Sequence, residues 1–162
     1  MTNDPSTVRT PQPSAGTGGT SGTDNTAAGV EPVPWTKAFA AKTPEAFAAA
    51  FSEDVTLEAT ALTRPINGRD NVKVVMAGAS AIYESLQFTQ QTTDGDRTYL
   101  EWQATGMGGQ AMFGVTVLTT AEDGRIRHVA IHHRPLGALL LFSATLGDAL
   151  DGTIDRSAFH TR

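Results

Sequence analysis

Three of the four histidines of this 162-residue chain fall in one stretch, RIRHVAIHHRP, from Arg125 to Pro135. Imidazoles so placed could ligate a metal, act as an acid or base, or line the wet rim of a sheet. The β-branched, alternating character of the stretch reads as a strand. On a strand His128 and His132 stand roughly 13 Å apart at about 3.3 Å per residue, while zinc needs its nitrogens at about 2.1 Å from a single ion. His132 and His133 point to opposite faces, so the spacing argues against a metal site. A base remains open, because an unperturbed imidazole titrates near neutrality. No cysteine occurs, which removes thiolate nucleophiles, disulfides and zinc–sulfur sites.

Residues 1–34 contain no Leu, Ile, Phe, Trp or Tyr and are dominated by Thr, Gly, Pro and Ser. Such a segment cannot bury enough apolar surface to offset its ordering entropy, and it is expected to be a disordered tail. The folded domain is expected over 35–152, with a frayed C-terminus over 153–162. Charged residues make up 18% of the chain and the net charge is −5, with only Lys37, Lys42 and Lys73 as lysines. A nucleic-acid surface is therefore not expected. No apolar run reaches the length of a spanning helix, and the N-terminus lacks the pattern of a secretory signal. A cytoplasmic protein is the expectation.

The elements that must position the histidines follow from periodicity. Two short helices are expected from Trp35 onward, broken at Thr43-Pro44, where Thr43 suits an N-cap and Pro44 the first helical position. Val55–Ala61 reads as a strand, and Asp70 can cap a helix from Asn71 to Tyr83 with Val72, Val75, Met76 and Ala79 on one stripe. From Leu86 the period changes to two. Leu86–Thr93, Arg97–Gly106, Gln110–Thr120 and Arg125–Arg134 read as a four-stranded antiparallel meander with turns at Asp94-Gly95, Gly108-Gly109 and Asp123-Gly124. A short apolar helix after Pro135 can end at Gly152.

This order of elements, with AFAAAFSEDVTLEA, INGRDNV and EDGRIRHVAIHH at matching places, resembles the nuclear-transport-factor-2-like superfamily and its SnoaL-like, polyketide-cyclase-like branch. The resemblance covers roughly Trp35 to Arg134. It implies an α+β fold. In that fold a cone-shaped curved antiparallel sheet, a four-stranded meander plus a short N-terminal strand, packs on three N-terminal helices and a short C-terminal helix around an apolar pocket. It also implies which side chains face the pocket: Ile126, Val129, Ile131 and His133 on the last strand, with a bulge. Tyr99, Glu101 and Gln103 would face it from the second meander strand, and Met112, Gly114, Thr116 and Leu118 from the third. The opposite face would carry Leu100, Trp102, Phe113, Val115 and Val117. Relatives often dimerise through that face, so a homodimer is expected there.

The relatives' own catalytic groups are absent from the matching positions. Trp35, Ala59 and Thr116 stand where ketosteroid isomerase has its oxyanion tyrosine, base aspartate and protonated aspartate. Glu101, Gln103 and Ile131 stand where limonene epoxide hydrolase has its arginine and aspartates. What remains is His133 as candidate base, with Glu101 and Tyr99 as acid or orienting donors. Trp35, Phe39, Gln103, Met112, Thr116, Val129 and Ile131 are the candidate pocket wall. Two readings stay open. One is a cofactor-free isomerase, dehydratase or cyclase acting by proton transfer on an apolar cyclic molecule. The other is a non-catalytic ligand-binding or dimerisation module of the same fold.

Overall fold

The computed structural model describes residues 26–161. The expectation of a disordered tail falls mostly on residues 1–25, which lie outside the described residues. The described part of that segment is tied to the domain: the Ala27 N–H donates to the carbonyl of Phe88, and Val30 is buried.

Helices α1 (Pro34–Ala41) and α2 (Pro44–Ala50) form where expected, and the Thr43 hydroxyl accepts the Ala46 N–H at 3.2 Å as an N-cap. Strand β1 (Phe51–Ala59) follows α2 without a loop, four residues earlier than periodicity suggested. After a two-residue strand β2 (Ile66–Asn67), α3 spans Arg69–Ile82. Its cap is Gly68, not Asp70. The Asp70 carboxylate lies in the first turn and accepts from Lys73 Nζ at 2.7 Å. The stripe Val72, Val75, Met76 and Ala79 is buried as expected.

The meander comprises β3 (Tyr83–Asp94), β4 (Arg97–Gly106), β5 (Gln110–Thr120) and β6 (Ile126–Arg134). One sheet results, ordered β2-β1-β6-β5-β4-β3 and antiparallel except where β1 runs parallel to β6. The expected bulge on β6 is present. Thr119 pairs with His128 and Thr120 with Ile126, so Arg127 is the extra residue and both Ile126 and Val129 are buried.

The inward face of β4 is the reverse of the expected one. The hairpin opposes Leu100 to Thr116, Trp102 to Gly114 and Ala104 to Met112. Directly opposed residues share a face. Met112, Gly114, Thr116 and Leu118 are indeed inside, so Leu100, Trp102 and Ala104 must be inside with them, and all three are buried. Tyr99, Glu101 and Gln103 are exposed on the outer face. Gly114 secures this arrangement: a Cβ there would overlap the indole of Trp102 and the carbonyl of His132.

Helix α4 (Leu136–Ala149) packs against α3, β5 and β6. Against the expected fraying of 153–162, the described residues through 161 are packed on the domain. Ile154, Ala158 and Phe159 are buried, a 3-10 turn spans Arg156–Ala158, and Phe159 bridges to Leu62. Arg64 pairs with Asp155 at 2.9 Å and Arg156 with Asp148 at 3.0 Å. The buried Ser143 hydroxyl donates to the Ala61 carbonyl and accepts the N–H of His160, which pins α4 to the strap after β1. Burial of Ile154 and Phe159, each worth about 1.5–3 kcal/mol, is what holds a segment expected to fray.

Candidate functional site

An apolar cavity lies between the sheet, α1, α3 and α4. Its walls are Trp35 and Phe39 from α1, Leu57 from β1, and Val75, Met76 and Ala79 from α3. Leu86, Phe88, Trp102 and Ile131 line it from the sheet, and Phe142 and Leu146 from α4. None of its lining side chains carries a fixed charge. Tyr83, Thr116 and His133 supply its polar groups together with the two indoles. The space open to the centre of a water-sized sphere is about 30 Å³. That is room for two or three waters, since one needs roughly 10–15 Å³.

His133 is where the sequence placed it, at the pocket end of β6. Its ring is enclosed by Trp102 and Phe142, with centroids 5.2 and 5.4 Å away. Nε2 lies 3.3 Å from the Tyr83 hydroxyl and Nδ1 lies 3.1 Å from the Thr60 hydroxyl. Tyr83 is the junction residue between α3 and β3. Its carbonyl accepts from Lys42 Nζ at 3.0 Å, and its ring stacks on Phe142 at 5.1 Å. The Ile82 carbonyl lies against Gly106, where a Cβ would collide with it, so the chain can bend at this junction and swing Tyr83 inward. Trp102 donates its indole N–H to Thr116 at 3.1 Å, whereas the buried indole N–H of Trp35 has no partner among the described residues.

The other expected site residues divide. Trp35, Phe39, Thr116 and Ile131 line the cavity as expected. Met112 and Val129 are fully buried on the same face but belong to the core beside it. Glu101, Tyr99 and Gln103 do not reach the site: they face outward because of the β4 register, and Gln103 donates to Gln87 at 3.0 Å on the outer surface. The acid paired with His133 is therefore a phenol and not a carboxylate. Tyr83 sits four residues beyond Ala79 on the buried stripe of α3, a signal the sequence did carry. Thr60 carried none, because its approach to His133 depends on the parallel pairing of β1 with β6. His128 faces outward and lies 3.1 Å from Glu58, and among the described residues no three His, Asp or Glu side chains gather as ligands would.

Burial, with a smaller contribution from His132, pushes the His133 imidazolium down to about pH 4. Burial likewise pushes the Tyr83 phenol up. Both groups are neutral at physiological pH, and charge separation between them is disfavoured. The arrangement can donate a hydrogen bond from a phenol to a bound molecule, or pass a proton through the imidazole, without a standing charge.

The sequence from residue 34 to 129 matches the family model described as SnoaL-like domain. No curated protein matches the chain. Among solved structures, a bacterial protein with a cystatin-like fold from Silicibacter pomeroyi is similar with TM-score 0.68 and 20% identity, over 72% of this chain and 82% of that one. A steroid delta-isomerase from Pseudomonas aeruginosa is similar with TM-score 0.66 and 20% identity, over 72% and 85%. A protein with a ketosteroid isomerase-like fold from Catenulispora acidiphila, in complex with trimethylamine, is similar with TM-score 0.56 and 23% identity, over 70% and 94%. These likenesses bear on the fold.

The low affinity of His133 for a proton has a consequence for stability. Its folded pKa lies below the ordinary value of 6.5, so the unfolded chain binds the extra proton first. Stability is complete above about pH 6.5 and is lost as pH falls toward 4, by about 3 kcal/mol in total from this group. In urea titrations between pH 4 and 7, His133→Phe should flatten the profile relative to the unchanged protein. Parallel profiles for the two would contradict the burial of the imidazole. With its fold and the SnoaL-like match over 34–129 both in hand, the chain belongs to the SnoaL-like domain family.

Proposed function

We propose that this chain is a SnoaL-like small-molecule-binding protein that receives an uncharged, largely apolar molecule in the inner cavity and moves a proton on it without a cofactor. The observation that carries this reading is the Tyr83–His133 contact at 3.3 Å, set at the end of a cavity whose other walls are almost wholly hydrocarbon. A buried polar pair is retained against a desolvation penalty, and such pairs concentrate at functional sites. Tyr83 takes the role expected of Glu101 and Tyr99, and His133 keeps its place as proton acceptor. Isomerase, dehydratase and cyclase chemistry all use such a donor–acceptor pair. The small cavity volume favours a second reading, a module whose pocket is filled by its own side chains. On the first reading Phe142 and Leu146 of α4 move aside for a ligand larger than a few waters.

A thermal-shift screen with steroid, terpenoid and aromatic polyketide ketones separates the two. A ligand at about 100 times its dissociation constant adds roughly 2.7 kcal/mol, several degrees for a domain of this size. The enzyme-like reading expects such a shift, reduced by Tyr83→Phe and by His133→Ala. Absence of any shift leaves the filled module.

The chain is also proposed to form a homodimer through the outer face of the sheet. The residues of that face are corrected by the β4 register: Phe113, Val115 and Val117 form its apolar stripe, while Leu100 and Trp102 are inside. Glu101 flanks the stripe on β4, and His132 and Arg134 flank it on β6. A two-fold stacking would set the acid of one copy against the bases of the other. Val115→Glu should convert a dimer to a monomer in sedimentation velocity. A monomeric unchanged protein, or a dimer unaffected by the substitution, would contradict the interface.

A further inference from the structure

Thr60 is exposed just beyond the end of β1, yet its hydroxyl oxygen is engaged three times by β6. It accepts the backbone N–H of His133 at 3.0 Å, lies 3.1 Å from His133 Nδ1, and lies 3.5 Å from the Ile131 carbonyl oxygen. Across the ring, Nε2 lies 3.3 Å from the hydroxyl of Tyr83, which is buried and lines the cavity. One imidazole thus stands between a solvated hydroxyl and a buried one.

Hydrogen counting distinguishes two arrangements. A neutral imidazole has one N–H. If that hydrogen is on Nδ1, it is donated to Thr60, and Tyr83 donates its own to Nε2. If it is on Nε2, it is donated to Tyr83, the Thr60 hydroxyl donates to Nδ1, and the phenol hydrogen points free. Among the described residues nothing but Nε2 is within hydrogen-bond distance of the Tyr83 oxygen. The first arrangement therefore satisfies the polar atoms of Thr60, His133 and Tyr83 in the empty cavity. The second leaves a buried donor unpaired until a molecule with an acceptor oxygen arrives.

We infer that Thr60, His133 and Tyr83 form a proton relay between solvent and the cavity, in which Thr60 is the solvent-side positioning residue and the imidazole changes tautomer with each passage. The last link rests on the ligand-binding reading of the cavity; the first two do not. Inward, the ligand oxygen takes the Tyr83 hydrogen, Tyr83 takes the hydrogen on Nε2, Nδ1 takes the Thr60 hydrogen, and Thr60 takes one from a hydronium ion of the solvent, which is left as water. Each O–H or N–H broken is matched by one formed, one proton enters the ligand, and the ring ends in the Nδ1–H form. Outward transfer runs the same links in reverse. A ligand oxygen protonated in one half of a reaction and deprotonated in the other returns the relay to its start. The molecule it serves is uncharged and carries a carbonyl or hydroxyl oxygen.

The test is NMR of the full chain labelled with ¹⁵N-histidine and ¹⁵N-tryptophan, with and without cyclohexanone as an acceptor probe. In the empty protein His133 should be protonated on Nδ1, and cyclohexanone should move its population toward Nε2–H. Thr60→Val should abolish that response, while Thr60→Ser should restore it, which separates a lost hydroxyl from a disturbed fold. Protonation on Nε2 in the empty protein, or a ketone response that survives Thr60→Val, overturns the relay. If cyclohexanone perturbs neither His133 nor the indole of Trp35, the ligand reading of the cavity fails, and the tautomer of the empty protein still decides the two protein links.

Discussion

The contact of the Trp102 indole across Gly114 is the constraint on which the rest depends. A hairpin fixes the parity of both its strands at once, because a shift by one residue would exchange every side chain between core and solvent. With Gly114 inside and lacking a side chain, the indole has room to lie over it. That single fit turns Glu101, Tyr99 and Gln103 outward, takes the Glu101 carboxylate away from the cavity, and leaves Tyr83 and His133 at its polar end. It also closes the ring around His133, since the same indole packs edge-on to the imidazole.

The second determinant is the cluster of aromatic rings that carries the site. Trp35, Phe39, Phe47, Phe51 and Phe88 join α1, α2, β1 and β3, and Tyr83 links this cluster to Trp102 and Phe142. Edge-to-face and offset packing fixes ring orientation as well as burying area. Inside such walls a neutral phenol–imidazole hydrogen bond is stronger than in water, and an ionised form of either partner is expensive. The site is accordingly built to hold or hand on a proton while remaining uncharged. The carboxylate pairs familiar from other acid–base sites could not do this in so dry a pocket without a compensating charge.

Much of this is legible in the sequence. The two N-terminal helices, the meander and its three turns, the bulge on β6 and the inward set Ile126, Val129, Ile131 and His133 follow from periodicity and turn chemistry, or from the family resemblance. The β4 face is the reverse of the parity that the resemblance implies, and the alternation of Leu100, Trp102 and Ala104 with Glu101 and Gln103 itself points that way. The ordered C-terminus was hidden because Ile154 and Phe159 find their partners on α4 and on the strap after β1, contacts between segments far apart in sequence. Thr60 was invisible for the same reason: local pattern says nothing about parallel pairing between the first long strand and the last.

The hydrogen bond between Tyr83 and His133 inside the cavity is what the proposed chemistry requires. A double-mutant cycle with Tyr83→Phe, His133→Phe and the combination, followed by urea unfolding at pH 7, measures it most directly. Direct contact predicts a coupling energy of about 1 kcal/mol, because each single change strands the other's polar atom while the double change strands none. Effects that add to within about 0.3 kcal/mol would mean the two side chains do not meet in solution, and would contradict the donor–acceptor pair proposed for the pocket.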